Sequence, residues 1–132
     1  MSHSLKVAPP RPTLQFTAPS GLVKAKIGAK VDSQIEVELP DGGVLPATVQ
    51  LWIYAGNRVV GGGMFEPVSS EGRIYRFSCR LRVPPKAGTY QMRIEAQYCI
   101  EPPEFVAGST KQTAGLQVLE FQERGPNLEV TR

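Results

Sequence analysis

The sequence predicts a single all-β domain, an antiparallel β-sandwich of about seven short strands. Three observations predict this class: apolar and polar residues alternate with a period of two, turn-forming residues separate the alternating runs, and no run has helical spacing. A chain of 132 residues is long enough to enclose one hydrophobic core. Its 13 Gly and 12 Pro residues are scattered, which is typical of turns rather than of a low-complexity tract.

The clearest alternation covers residues 75–83, where the odd positions are apolar or aromatic and the even positions are Arg or Ser. A strand with one solvated face separates these two sets, whereas a helix would spread the arginines around its circumference. The same reasoning predicts the remaining strands. In chain order, the predicted strand regions are residues 13–27, 31–39, 47–55, 58–68, 73–83, 89–98 and 112–121.

Turn residues separate these regions, as in Pro40-Asp41-Gly42-Gly43. The composition of both ends of the chain predicts flexible tails. Residues 1–12 include three prolines, and residues 122–132 are mostly polar. The predicted domain therefore covers residues 13–121, between an N-terminal and a C-terminal tail.

The segment YRFSCRLRVPPKAGTYQMRIEA, residues 75–96, is similar to the E strand, E–F corner and F strand of immunoglobulin-like sandwiches, and most to filamin-type and fibronectin-III-type modules. The step from Ala87 to Tyr90 resembles a tyrosine corner, in which the hydroxyl bonds back to upstream backbone. Trp52 resembles the strand-C tryptophan. The resemblance implies a Greek-key order with strands A to G. Met92 stands where antibody-type domains have their second cysteine.

The two cysteines have opposite parity. Cys79 shares the apolar face of its strand, whereas Cys99 continues the polar face of the next one. An inward and an outward thiol do not meet at the spacing of a disulfide, so we expect free thiols and a reducing compartment. The N-terminus has no secretory signal pattern, and no apolar run is long enough for a membrane helix. We therefore expect a cytoplasmic protein with no membrane partner.

No catalytic constellation is present in the sequence. The single histidine, His3, lies in the predicted N-terminal tail and is the only imidazole for a nucleophile or a metal. The glycines from Gly61 to Gly63 lack the Lys-Ser/Thr pair of a phosphate loop, and predict instead a bulge or bend on an edge strand. We expect no enzymatic activity, no cofactor and no metal.

Arg76, Arg80 and Arg82 form a row on one exposed face. One interpretation is an anion-binding patch. The favoured interpretation is cross-strand pairing with polar and acidic residues of strand B, such as Glu36 and Glu38. Because no aromatic residue lies among these arginines, the sequence does not indicate a nucleic-acid platform.

A candidate partner-binding face is formed by strands C, F and G. Its orientation depends on strand C. Either Trp52 and Tyr54 point outward beside Arg93, or Trp52 is the core tryptophan that the resemblance favours and Ile53 points outward. In the proline-stiffened F–G loop, Phe105 either anchors a partner or packs on the core. The candidate contact residues are Trp52, Ile53, Tyr54, Arg93 and Phe105.

The leading functional hypothesis is a non-enzymatic interaction or scaffold module. It binds a protein or a neighbouring domain through the C–F–G face, the F–G loop or a sheet edge. One alternative is a carbohydrate-binding or accessory domain of a glycan-active enzyme, which requires an exposed Trp52. Another is a self-associating structural repeat or subunit of a filament, capsid or secretion assembly. The basic residues 1–30 and the mainly acidic residues 94–132 motivate this last hypothesis.

Overall fold

A computed structural model of the chain describes residues 4–5, 8–100 and 117–132. Within these ranges the regular structure is entirely β. The strands are β1 (Ser4–Leu5), β2 (Thr13–Ala18), β3 (Val23–Lys26), β4 (Lys30–Glu38), β5 (Thr48–Ala55), β6 (Arg58–Met64), β7 (Glu66–Glu71), β8 (Ile74–Arg82), β9 (Gly88–Ile100) and β10 (Gln117–Thr131). No helix among the described residues has the length and apolarity needed to cross a membrane.

The strands form two sheets. The large sheet has the order β3-β10-β9-β5-β6, and the two-residue β1 also pairs with β9. The small sheet has the order β2-β4-β8-β7. All pairs are antiparallel except β1 with β9 and β3 with β10, which are parallel. The predicted all-β class with two sheets is confirmed.

The predicted number of about seven strands was too low. The region 13–27 is two strands in different sheets, β2 and β3, because Pro19 and Gly21 interrupt it and Gly21 has a φ of 76°. The region 58–68 is likewise divided, and the chain passes from β6 in the large sheet to β7 in the small sheet at the buried Phe65.

Alternation places the core between the two sheets. Ile35 and Val37 of β4, Leu51 and Ile53 of β5, and Ile94 of β9 are all fully buried. Burial of each such side chain contributes about 1.5–3 kcal/mol. Because the side chains alternate strictly, the intervening residues of the same strands form the outer face of each sheet.

The C-terminal residues 122–132 are not a tail. Strand β10 continues to Thr131, and both Leu128 and Val130 are buried in the core. Gly125 and Pro126 lie at a register shift between Arg124 and Asn127 rather than ending the strand. Gly125 also leaves the space that the Phe16 ring occupies. The alternation of Leu128 and Val130 therefore outweighs the local Gly-Pro signal.

The described part of the predicted N-terminal tail, residues 8–12, packs on the domain. Pro9 and Pro12 are buried. Arg11 donates a hydrogen bond to the Gln122 carbonyl at 2.8 Å, and its guanidinium carbon lies 5.4 Å from the centre of the Phe121 ring. Further along β10, Glu129 is aligned with Lys24 of β3. The basic start and the acidic end thus meet within one chain.

Two tyrosines fix loops to β9. The Tyr90 hydroxyl donates to the Lys86 carbonyl, as the tyrosine-corner resemblance predicted. The Tyr98 hydroxyl donates to the Val44 carbonyl at 2.7 Å, and burial raises the pKa of Tyr98 to about 12, so the hydroxyl keeps its proton.

Ion pairs cover the outer face of the small sheet. Arg76 pairs with Glu36 at 3.1 Å and Arg80 with Asp32 at 3.3 Å, which confirms the cross-strand interpretation for these two arginines. Each such exposed pair contributes about 0–1 kcal/mol. Arg82 instead stands opposite Lys30.

The cysteines follow their predicted parity. Cys79 is buried and Cys99 half-buried, and they are not bonded to each other. Burial, with a further contribution from the charge of Glu66, raises the pKa of the Cys79 thiol. Cys79 therefore serves as a small core side chain.

Replacing Tyr90 with Phe tests the contribution of the tyrosine corner to stability. The loss of the hydrogen bond to Lys86 is expected to lower the free energy of unfolding by about 1 kcal/mol, measured by chemical denaturation. Tyr54→Phe, which retains its ring beside Arg93, is the matched control and should change stability by less. Equal effects of the two substitutions would contradict a structural role for the corner.

Candidate partner-binding face

The outer face of the large sheet brings together most of the side chains that the sequence singled out. In β5, Leu51 and Ile53 are fully buried, whereas Trp52 and Tyr54 are half-buried on the outer side. The expectation that Trp52 is a core tryptophan was therefore wrong, because Leu51 and Ile53 already fill the space between the sheets. For the same reason Ile53 is not a contact residue.

Trp52 lies across the strands on either side of β5. Its indole Nε1 donates to Glu95 Oε1 on β9 at 3.2 Å. Its Cε3 atom covers Gly62 on β6, since a Cβ placed on Gly62 would lie 2.7 Å from it. The indole thus spans the sheet from β9 to β6.

The glycine run has a structural explanation in this arrangement. Strand β6 is an edge strand, and its register with β5 shifts between Ile53 and Tyr54, as predicted for a bulge or bend. Gly62 is the partner of Trp52 in that register and leaves room for the indole. A side chain at this position would displace the ring.

Glu95 is a buried carboxylate at the centre of this face, with 6% of its surface exposed. It accepts hydrogen bonds from Trp52, from Gln97 at 2.7 Å and from Gln122 at 2.8 Å. Burial alone raises the pKa of Glu95, but these hydrogen bonds outweigh that effect and hold the pKa below its ordinary value. The carboxylate is therefore charged and satisfied by neutral donors from three strands.

Glu120 on β10 is the exposed neighbour of this carboxylate. The negative charge of Glu95 is the largest cause that raises the pKa of Glu120, with burial and a hydrogen bond to Glu95 adding to it. Repulsion between the two carboxylates is therefore a local cost at neutral pH.

Arg93 and Tyr54 form the second half of the face. The guanidinium carbon of Arg93 lies 4.2 Å from the centre of the Tyr54 ring, and its Nε donates to Gln91 Oε1 at 3.0 Å. A cation–π contact of this kind contributes about 0.5–1 kcal/mol at an exposed site. Arg93 is also the register partner of Trp52 across β5 and β9.

The structure therefore brings together Trp52, Tyr54 and Arg93, while Phe105 lies outside the described residues. The alternation of residues 90–98 puts Glu95 on the polar side of β9, but nothing in the sequence indicates its burial. Gln122 was missed because it was assigned to the tail. Alternation beyond residue 121 was the signal that would have placed it on this face.

The face offers two aromatic rings, a guanidinium group and side-chain amides. Among residues 8–100 and 118–132 no group of three or more His, Cys, Asp or Glu side chains is arranged to hold a metal ion. The class defined by fold and face is an all-β, two-sheet protein with a mixed aromatic and polar outer surface.

No protein-family model matches this sequence, and no curated protein is significantly similar to it. Among solved structures, the chain is similar to a crystal structure of an engineered protein, a target of the Northeast Structural Genomics Consortium. The identity is 15%, the TM-score is 0.47, and the match covers 95% of this chain. This chain spans 21% of that protein. A similarity at this level assigns neither a family nor a function.

The position of the Trp52 indole against Gly62 is tested with Gly62→Ala. Its Cβ would lie 2.5 Å from the Leu51 carbonyl oxygen and 2.7 Å from Trp52 Cε3, so we expect a loss of about 1–3 kcal/mol and a shifted Trp52 emission. Gly61→Ala is the control, because its Cβ would make only ordinary contacts with Ile53 at 3.7 Å or more. Chemical denaturation measures the loss of stability, and fluorescence measures the shift in emission. An unchanged Trp52 emission in Gly62→Ala would contradict the contact between the indole and Gly62.

The carboxylate pair is tested with Glu120→Gln. Because the folded-state pKa of Glu120 is raised, its charge destabilises the fold at neutral pH, and the cost disappears as the pH falls and Glu120 binds a proton. Glu120→Gln is therefore expected to raise Tm at about pH 7 and to lose this advantage near pH 4. Glu38→Gln on the small sheet is the control. A lower Tm for Glu120→Gln at neutral pH would contradict the repulsion.

Proposed function

We propose that this protein is a non-enzymatic interaction or scaffold module with an immunoglobulin-like β-sandwich fold. The strand orders support the fold assignment, because β2-β4-β8-β7 corresponds to A-B-E-D and β10-β9-β5 corresponds to G-F-C in such sandwiches. Free Cys79 and Cys99 are in keeping with a reducing, cytoplasmic environment.

The observation that carries the proposal is the Arg93 guanidinium held 4.2 Å above the Tyr54 ring, beside the half-buried Trp52. Trp, Tyr and Arg are the residue types most enriched among the side chains that dominate protein–protein binding energy. All three are held in place before binding. Glu95 and Gly62 position Trp52, Gln91 accepts a hydrogen bond from Arg93, and the Arg93 guanidinium lies over the Tyr54 ring. Binding then costs little side-chain entropy. The partner in this proposal is a protein or a neighbouring domain.

A carbohydrate ligand is the second candidate. The feature that favours it is the indole of Trp52, which lies across the sheet with side-chain amides of Gln97 and Gln122 near its Glu95 anchor. A sugar would stack on the ring and bond to the amides. A glycan that binds in a Trp52-dependent manner, with no protein partner, would favour this candidate.

Part of the charge asymmetry of the chain has an explanation within one molecule, without head-to-tail assembly. Arg11 pairs with Glu123 at 3.4 Å, and Lys24 is aligned with Glu129 within the same molecule. The opposite charges of the two ends are therefore complementary inside one domain.

The proposed function is tested by affinity capture from native lysate, followed by titration of the captured protein. Tyr54→Ala and Arg93→Ala are each expected to weaken binding by at least about 1 kcal/mol, which is about fivefold in Kd, because each removes half of the cation–π pair.

The matched control is Arg80→Ala, an exposed arginine on the outer face of the small sheet that pairs with Asp32. It should leave the affinity unchanged. Wild-type affinity in both Tyr54→Ala and Arg93→Ala, or an equal loss in Arg80→Ala, would refute the assignment of this face.

A further inference from the structure

Strand β6 is an unprotected edge of the large sheet. Among the described residues no strand pairs with its outer side, and Val59 and Met64 are 45% and 54% exposed. From Val59 to Met64 the strand contains no charged residue and no proline. Natural edge strands usually carry such residues because they prevent pairing with another chain.

The other edges have these protective features. Strand β3 carries Lys24 and Lys26. Strand β7 has Pro67, glutamates at both ends and a register shift beside Val68. Strand β2 has a register shift of its own, and its Phe16 packs onto Gly125 of β10. The bulge in β6 lies near its start and leaves Gly61 to Met64 in regular register with β5.

The backbone of β6 is in the correct phase to accept another strand. The Phe65 N–H donates to the Val49 carbonyl on β5 at 2.9 Å. In an antiparallel pair the bonding direction alternates, so Gly63 and Gly61 also direct their backbone groups toward β5. Gly62 and Met64 therefore direct their N–H and C=O groups away from the sheet, where an added strand would lie.

We propose that β6 pairs in antiparallel fashion with β6 of a second copy of this chain, across a two-fold axis at Gly62. A pair centred on Gly62 places Arg58, at the start of each β6, near the point where the other β6 ends and the chain continues through Phe65 to Glu66, so opposite charges meet twice. Both residues are exposed, and no ion pair joins either of them to another described residue. The absence of side chains at Gly61–Gly63 allows the two backbones to approach closely.

The pairing also places the two Trp52 indoles next to the axis. Each indole covers its own Gly62, so the two rings come together when the glycines pair. Trp52 is the single tryptophan of the chain, and its emission therefore reports on this site alone. The dimer closes on itself, because each copy uses its β6 edge once.

The test is sedimentation equilibrium of the full chain from micromolar to the highest soluble concentration, with acrylamide quenching of Trp52 in parallel. We expect a monomer–dimer equilibrium, with reduced quenching in the dimer. Met64→Lys should raise the dimer Kd by about tenfold or more, because it places a charge at the paired edge. Val68→Lys on the protected β7 edge is the control and should leave Kd unchanged, although Val68, at 64% exposure, is more accessible than Met64 at 54%.

Charge reversal tests the register. Arg58→Glu and Glu66→Arg should each raise the dimer Kd by about tenfold, because two attractive contacts become repulsive, and the double variant should restore dimerisation. A chain that remains monomeric at all concentrations overturns the proposal and leaves a strand of another protein as the occupant of the edge. Species larger than a dimer, or a double variant that fails to recover, overturn the two-fold pairing at Gly62.

This inference depends on the β6 edge, whereas the proposed function is tested at Tyr54 and Arg93 on the outer face, and Trp52 lies beside both. Tyr54→Ala and Arg93→Ala should leave the dimer Kd unchanged, whereas Met64→Lys should leave capture of the partner protein unchanged. A dimer that dissociates in Arg93→Ala would contradict the assignment of self-pairing to β6.

Discussion

A carboxylate shielded from water must receive its hydrogen bonds from the protein, and Glu95 is under this constraint. Its three donors, Trp52, Gln97 and Gln122, come from β5, β9 and β10. The three hydrogen bonds to this one carboxylate thus join three adjacent strands on the side of the sheet opposite the core. It also fixes the direction of the indole, whose far edge then requires a residue without a side chain on β6, namely Gly62.

The two outer faces of the molecule differ in kind. The small sheet carries exposed ion pairs such as Arg80–Asp32, which water and salt screen and which contribute little to stability. The large sheet carries aromatic rings whose positions are determined by Glu95, Arg93 and Gly62. An aromatic surface held in place by its neighbours is suited to recognition, whereas exposed charged side chains mainly maintain solubility.

Much of the fold is encoded locally. The alternation in residues 75–83 predicts a strand and its buried face, because a period of two depends only on neighbouring residues. The tyrosine corner is local as well, since Tyr90 bonds to Lys86 four residues earlier. Features that depend on distant strands were predicted less well. Leu128 is buried because β3 and β9 lie on either side of it, so the interpretation of the mostly polar residues 122–132 as a tail was wrong.

The candidate face also combines features that neighbouring residues determine with features that depend on distant strands. Both parities of β5 were compatible with the sequence, because Leu51-Trp52-Ile53-Tyr54 is apolar or aromatic throughout, and the resemblance favoured the wrong one. The adjacency of Trp52 and Arg93 follows from pairing β5 with β9 and was predicted for the outward parity. The burial of Glu95 depends on side chains from three strands and had no local signal.

The Trp52–Glu95 bond is tested most directly by the exchange of the Trp52 indole proton with water, measured by NMR on the native protein. We expect a single indole signal that exchanges much more slowly than in the same chain unfolded by denaturant, because the indole N–H is bonded to a buried carboxylate. An indole proton that exchanges as fast in the native protein as in the unfolded chain would contradict the Trp52–Glu95 bond. The ordered binding face inferred from that bond would then be refuted.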